Sequence, residues 1–197
     1  MGVWITTIMR IIAGTSKGAM IASLKGNDVR PTLDRVRESV FNILAPDLCE
    51  STTFLDLFAG SGANGLEALS RGVKKSIFVD ASPAALKIIR ENAKKIGKAP
   101  DSSILSGNIP ENLEALNRQF GSVEIIYADP PYRYPDYLGL LKSIGKSGLM
   151  GPETILAIEH DAKRTQLPEE AGNLTQYRQK SYGRTGVSFY RIGPSQT

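Results

Sequence analysis

The sequence predicts an α/β fold, a mostly parallel seven-stranded sheet with helices on both faces. A small β-hairpin and helix form an N-terminal appendage. Three observations predict it. From residue 53 to 158, short apolar runs alternate with amphipathic helical stretches. A glycine loop, Gly60, Gly62 and Gly65, follows the first apolar run. The stretch Asp129-Pro130-Pro131-Tyr132 follows the fourth. The domain organisation read from this is residues 1–50 as appendage and 51–197 as the main domain.

Taken in order, residues 10–13 and 19–22 read as two short strands joined by a Gly- and Ser-bearing turn at 14–18. A helix follows, with Thr32 as N-cap, Val36, Val40, Phe41 and Leu44 on one face, and Pro46 as its end. The main domain opens with a strand at 53–58 and a helix at 63–71. A second strand at 76–80 leads to a helix from Pro83 to about residue 96, where Gly97 suits the C-cap. A third strand spans 103–105, with a helix near 111–119. The fourth strand, 123–128, is apolar apart from Glu124 and reads as a buried strand. A helix near 135–144, a fifth strand at 154–158 and an antiparallel pair at 174–182 and 187–192 complete the chain.

Composition bounds the partners. Of 197 residues, 41% are apolar and 22% charged, as in a globular protein of one domain. Lys and Arg number 24 against 20 Asp and Glu, a net charge of +4, which permits a polyanionic partner without demanding one. The basic residues Lys163, Arg164, Arg178, Lys180, Arg184 and Arg191 read equally as a solvated surface or an RNA-facing patch. Cys49 is the only cysteine, so no intrachain disulfide forms, which fits a reducing cytosol. No run reaches the ~18 apolar residues of a membrane span, and the first residues lack the basic start of a signal peptide. No metal-ligand cluster is expected. His160, the sole histidine, ends the fifth strand and reads as structural.

The glycine loop makes a Rossmann-like ligand site. Gly60, Gly62 and Gly65 fit G-x-G-x-x-G, where a bare backbone approaches a ligand at a helix N-terminus. The usual meaning is a dinucleotide, but two details favour S-adenosylmethionine. Asp56 lies within the strand before the loop, where a carboxylate suits a ligand ammonium and would sit poorly beside a pyrophosphate. A dinucleotide would also leave the Asp-Pro-Pro-Tyr stretch without a task. Asp80 ends the second strand about 20 residues past the glycines, where an acid binds ribose hydroxyls; the alternative is a cap for the next helix. Asn108, after the third strand, reads either as an adenine contact or as a helix-entry residue.

Asp129-Pro130-Pro131-Tyr132 suits an exocyclic amine. The prolines fix φ and donate nothing, a carboxylate and a carbonyl accept, and the ring offers a face for stacking. That is the equipment of an amino-group methyltransferase acting on a nucleobase, unpaired or flipped out. The alternative is a plain turn capped by Asp. In a sheet of order 3-2-1-4-5 the glycine loop and this stretch leave neighbouring strands, where the strand order reverses.

These motifs resemble class I S-adenosylmethionine-dependent methyltransferases. More closely, the chain is similar to the RsmD-type bacterial 16S rRNA guanine-N2 methyltransferases, from Met9 onward. The resemblance rests on Met9-Arg-Ile-Ile-Ala-Gly14, Arg30-Pro-Thr32 with Asp34-Arg-Val-Arg-Glu38, Phe58-Ala-Gly-Ser-Gly62 with Gly65-Leu-Glu-Ala-Leu-Ser-Arg71, and Asp129-Pro-Pro-Tyr132. It departs at Asp80, where Glu is common, and at Asn108, where many relatives carry Asp. The resemblance implies transfer of methyl from S-adenosyl-L-methionine to N2 of one guanine in 16S rRNA, on the small ribosomal subunit or its assembly intermediate. Catalytic candidates are Asp129, Pro130 and Tyr132; cofactor candidates are Asp56, Phe58, Gly60, Gly62, Asp80 and Asn108. Arg30, Arg35 and Arg37 either contact RNA phosphates or are buried in ion pairs. Competing readings are a DNA adenine-N6 methyltransferase and a non-catalytic RNA-binding assembly factor.

Overall fold

The computed structural model describes residues 7–23 and 31–193, the side chains of Thr7, Pro31, Thr32 and Leu33 excepted. Its packing divides the chain into two compact units, Met1–Gly107 and Asn108–Thr197. By packing, therefore, the appendage expected to end at residue 50 belongs to a first unit that runs on to Gly107.

The first unit opens with an antiparallel hairpin, β1 (Thr7–Arg10) and β2 (Met20–Ser23). β1 lies three residues earlier than expected. The reason is chemical: the amides of Ile12 and Ala13 donate to the Glu67 carboxylate (2.7 and 3.0 Å) instead of to a partner strand. Helix α1 (Pro31–Leu44) starts at Pro31, so Thr32 falls inside its first turn and not at the expected cap. Val36, Val40, Phe41 and Leu44 are buried as their spacing requires, and Ala45–Asp47 ends the helix in a 3₁₀ turn containing Pro46.

Three parallel strands follow: β3 (Thr53–Leu57), β4 (Lys75–Asp80) and β5 (Ser102–Ser106), with β4 between the other two. The helices between them are α2 (Ala63–Ser70) and α3 (Pro83–Lys95). Ser82 caps α3 by accepting from the Ala85 amide, and Pro83 takes the first helical position. Gly65 explains how closely α2 lies on β4: a Cβ there would stand 2.3 Å from the Phe78 ring.

Polar joints fix the hairpin to this body. Glu67, 0% exposed on α2, also accepts from Arg71 Nε at 2.8 Å and lies 4.0 Å from Arg37 Nε. Asn92 of α3 accepts from the Ala22 amide and donates to the carbonyls of Ala22 and Ser61. A hydrogen-bonded buried amide of this kind satisfies groups that would otherwise cost ~1–3 kcal/mol each.

The second unit holds α4 (Leu113–Phe120), β6 (Val123–Ala128), α5 (Tyr137–Lys146), β7 (Met150–Asp161), β8 (Glu170–Ala171), β9 (Leu174–Tyr182) and β10 (Thr185–Ile192). β6 pairs parallel with β7; β7, β10, β9 and β8 then pair antiparallel in that order. Apart from the hairpin, the described residues form eight strands where seven were expected. The additional one is the two-residue β8, too short for any periodicity to announce. β7 also runs to twelve residues, because Met150 pairs with Val123 of β6 at one end and β10 extends the pairing as far as Asp161 at the other.

His160 is a packing residue, 5% exposed, with Nε2 3.1 Å from Ser188 Oγ and its ring against Gly186. Burial pushes its pKa below 6.5. Between that lower native value and 6.5 the unfolded chain binds a proton that the folded chain refuses. Stability should therefore be intact above pH 6.5 and fall as pH drops below it. Urea midpoints from pH 5 to 8 should show this slope in the wild type and a flatter one in His160→Gln.

Candidate functional site

The first unit gathers Asp56, Phe58, Gly60, Gly62 and Asp80 at the carboxyl ends of β3 and β4. Asp56, 1% exposed, accepts from the Gly65 amide at 2.9 Å and so ties the end of β3 to the first turn of α2. The chain then turns through Phe58 at φ 61, a left-handed conformation that costs a non-glycine residue ~1–2 kcal/mol. Gly60 follows at φ +55, and a Cβ there would meet nothing nearer than Phe58 O at 3.9 Å. The loop's backbone thus faces open space at the position where a ligand needs it bare.

Asp80 organises the loop from β4. Its Oδ2 accepts from the Gly60 amide and its Oδ1 from the Ser82 amide, both at 2.8 Å. Two N–H groups use half of a carboxylate's four or so lone-pair sites, so capacity for hydroxyls remains. Gly62 is the N-cap of α2, whose first turn carries no acid to compete for an anion. These residues fit a ligand with ribose hydroxyls and a carboxylate. Asn108, exposed, falls in the second unit, its backbone amide bonded to Asn112 Oδ1.

The second unit carries the acceptor stretch. β6 is buried through Ala128, and the chain emerges with Asp129 exposed, Pro130 buried, and Pro131 and Tyr132 exposed. Pro131 O accepts the Tyr134 amide at 2.7 Å, closing a turn that carries Tyr132 at its tip. The Tyr132 side chain is 51% exposed. The Arg184 guanidinium lies over its ring, 5.2 Å from the centroid. The Asp161 carboxylate beside the ring raises the Tyr132 phenol pKa, and the phenol in turn lowers that of the acid. Behind this turn Tyr137 is held neutral at a pKa of about 12, chiefly by burial and then by the negative charges of Asp129, Glu159 and Asp161.

A family model described as conserved hypothetical protein 95 matches residues 9–191. The chain belongs to that family. It is 35% identical over 183 residues to the putative rRNA methyltransferase YlbH of Bacillus subtilis, covering 93% of this chain and 98% of that protein. It is 30% identical over 183 residues to ribosomal RNA small subunit methyltransferase D of Escherichia coli K12, covering 93% and 89%. Among solved structures, the putative methyltransferase yhhF from Escherichia coli superposes with a TM-score of 0.78 at 28% identity, over 95% of this chain and 99% of that one. SMU.776, a putative methyltransferase complexed with SAH, shares the fold at a TM-score of 0.71 and 13% identity, over 89% of this chain and 54% of that one. The expected RsmD-type family and the Rossmann-like class I methyltransferase fold are borne out.

The arginines of the family block divide. Arg37 is 5% exposed, and its Nη2 donates to Arg10 O (2.7 Å) and Asp34 Oδ1 (2.9 Å). A guanidinium so committed does not reach RNA phosphates, which corrects that reading for Arg37. Arg35 is exposed on α1, and Arg30 lies outside the described residues. Sequence reasoning missed Asp161 and Arg184 as neighbours of Tyr132. The register pairing Thr185 with Asp161 brings them there, and nothing local to either residue signals it.

Proposed function

We propose that this methyltransferase transfers a methyl group from S-adenosyl-L-methionine to the exocyclic N2 of a guanine in 16S rRNA, presented by the small ribosomal subunit or its assembly intermediate in the cytoplasm. One observation carries the reading: a carboxylate and a half-exposed aromatic ring stand together at the exit of a strand buried from Ile125 to Ala128, on a turn stiffened by two prolines. The names of the relatives support the RNA class. The fit of the Gly60 and Asp80 loop supports the cofactor.

S-adenosylmethionine, when bound, supplies a methyl group activated by a sulfonium. The protein's part is positioning and electrostatics. Asp80 takes the ribose hydroxyls, and Gly60, Phe58 and Gly62 shape the loop that receives the ligand. The guanine amine is a poor nucleophile because its lone pair is delocalised into the ring. Asp129 and the Pro130 carbonyl accept its two N–H groups, which raises electron density on nitrogen and aims it. Tyr132 stacks on the base. The amine proton passes to Asp129 or to water after nitrogen has bonded to carbon. Arg35 is left as the α1 candidate for a phosphate contact.

Radiolabelled S-adenosylmethionine offered with unmodified small subunits, free 16S rRNA and duplex DNA tests the proposal, with products digested to nucleosides. N2-methylguanosine from subunits is the expected product. Methyladenine from DNA would move the substrate to the DNA class, and absence of transfer to all three would remove the rRNA reading.

A further inference from the structure

Tyr132 is not a lone plate. Asp161, 1% exposed, ends β7 with its Oδ1 accepting the Lys163 amide at 3.0 Å. Its Oδ2 lies 3.5 Å from Arg184 Nη2 and 3.9 Å from Arg164 Nε. One buried acid thus pairs with the cation that lies on the face of the ring. Arg184 itself is fixed by a two-residue hairpin turn, Gly183-Arg184, with Gly183 at φ +66 in its first position. A second strap crosses the same point, since Ala162 N donates to Arg184 O at 2.9 Å.

The spacing decides which face is available. A base slipped between guanidinium and ring would need about 7 Å, twice the ~3.5 Å contact distance of carbon atoms. The separation is 5.2 Å, so that face is filled. Yet 51% of Tyr132 remains exposed. We infer that Asp161 and Arg184 are positioning residues that make Tyr132 a one-sided platform. Arg184 backs one face, Asp161 holds Arg184 in place, and the unpaired base of single-stranded RNA stacks on the other face. This rests on the reading of Tyr132 as the base-stacking residue and names what aims it.

The test is binding, read apart from methyl transfer. A short single-stranded RNA with one central 2-aminopurine, which carries an amine at the position of guanine N2, is titrated and its fluorescence quenching followed. The wild type should quench it, and Tyr132→Ala should not. Stacking on an aromatic side chain accounts for ~1–3 kcal/mol per base, so loss of its aim in Arg184→Ala or Asp161→Asn should weaken binding roughly tenfold at unchanged melting temperature. Arg184→Lys should not restore it, because a point charge cannot back the ring as a plane does. Asp161→Asn combined with Arg184→Ala should be no weaker than the worse single variant, since both act through the guanidinium that backs the ring. Wild-type affinity in Arg184→Ala, additive losses in the double variant, or no quenching by the wild type would each overturn the inference. Arg184→Ala, on an exposed turn, keeps the test decisive if Asp161→Asn fails to fold. The expected binding pattern without transfer to any rRNA would remove the methyl-transfer reading and leave the platform standing.

Discussion

Asp129→Ala is expected to lower methyl transfer by ~10²–10³-fold, the usual cost of deleting one preorganised hydrogen-bonding group in an active site. Cofactor affinity should stay within about twofold, because the proposed mechanism assigns Asp129 to the base and the Gly60 and Asp80 loop to the cofactor. Single-turnover transfer from labelled S-adenosylmethionine measures the first quantity, and calorimetric titration of the cofactor the second. Asp129→Asn should fall between wild type and alanine: it keeps an oxygen to accept the amine but loses the charge and the capacity to take a proton. The side chain is exposed, so neither variant should cost appreciable stability. Full activity in Asp129→Ala would refute the assigned mechanism.

The largest effect on stability should come from Glu67. Its carboxylate is fully buried, accepts from two hairpin amides and from Arg71, and lies 4.0 Å from the buried Arg37. Removing one partner of such a cluster leaves the other charge buried and uncompensated, a loss of ~3–5 kcal/mol. Since whole domains are stable by only ~5–15 kcal/mol, Glu67→Ala should unfold at a much lower urea concentration. Glu67→Gln should lose less, because one acceptor oxygen survives. Hydrogen exchange at Ile12 and Ala13 separates local from global loss: if only the hairpin detaches, these two amides lose protection while β3 and β4 keep theirs. An unchanged midpoint in Glu67→Ala would show the cluster to be energetically neutral.

The sequence was most legible where one physical requirement acts alone. β6 had to be apolar from Ile125 to Ala128 because those residues are buried, and its boundaries, Val123–Ala128, were predicted unaltered. Pro83 announced the start of α3 through local chemistry. Long-range chemistry was not legible. The hairpin shifted because its amides pair with a carboxylate 55 residues away. Arg37 could not be told from an RNA-facing arginine, since charge alone does not reveal a buried Glu67 as its neighbour. Phe58 was singled out for its place before the glycines, but nothing in its identity foretold a positive φ. Asp161 and Arg184 meet Tyr132 only through a strand register that no local pattern fixes. The motif blocks that carry the family resemblance thus mix two kinds of residue: Asp129 and Tyr132 stand exposed, while Arg37, Glu67 and Arg71 form internal struts.

One of those joints has a thermodynamic corollary. Asn92 bonds at once to the backbone of β2 and to Ser61 in the glycine loop. Hairpin and loop therefore share a single side chain, and neither can shift without straining the bonds of the other. Whatever free energy a ligand on the loop lends to the hairpin's seating, a partner gripping the hairpin must return in equal measure to that ligand's affinity, because coupling between two sites is reciprocal.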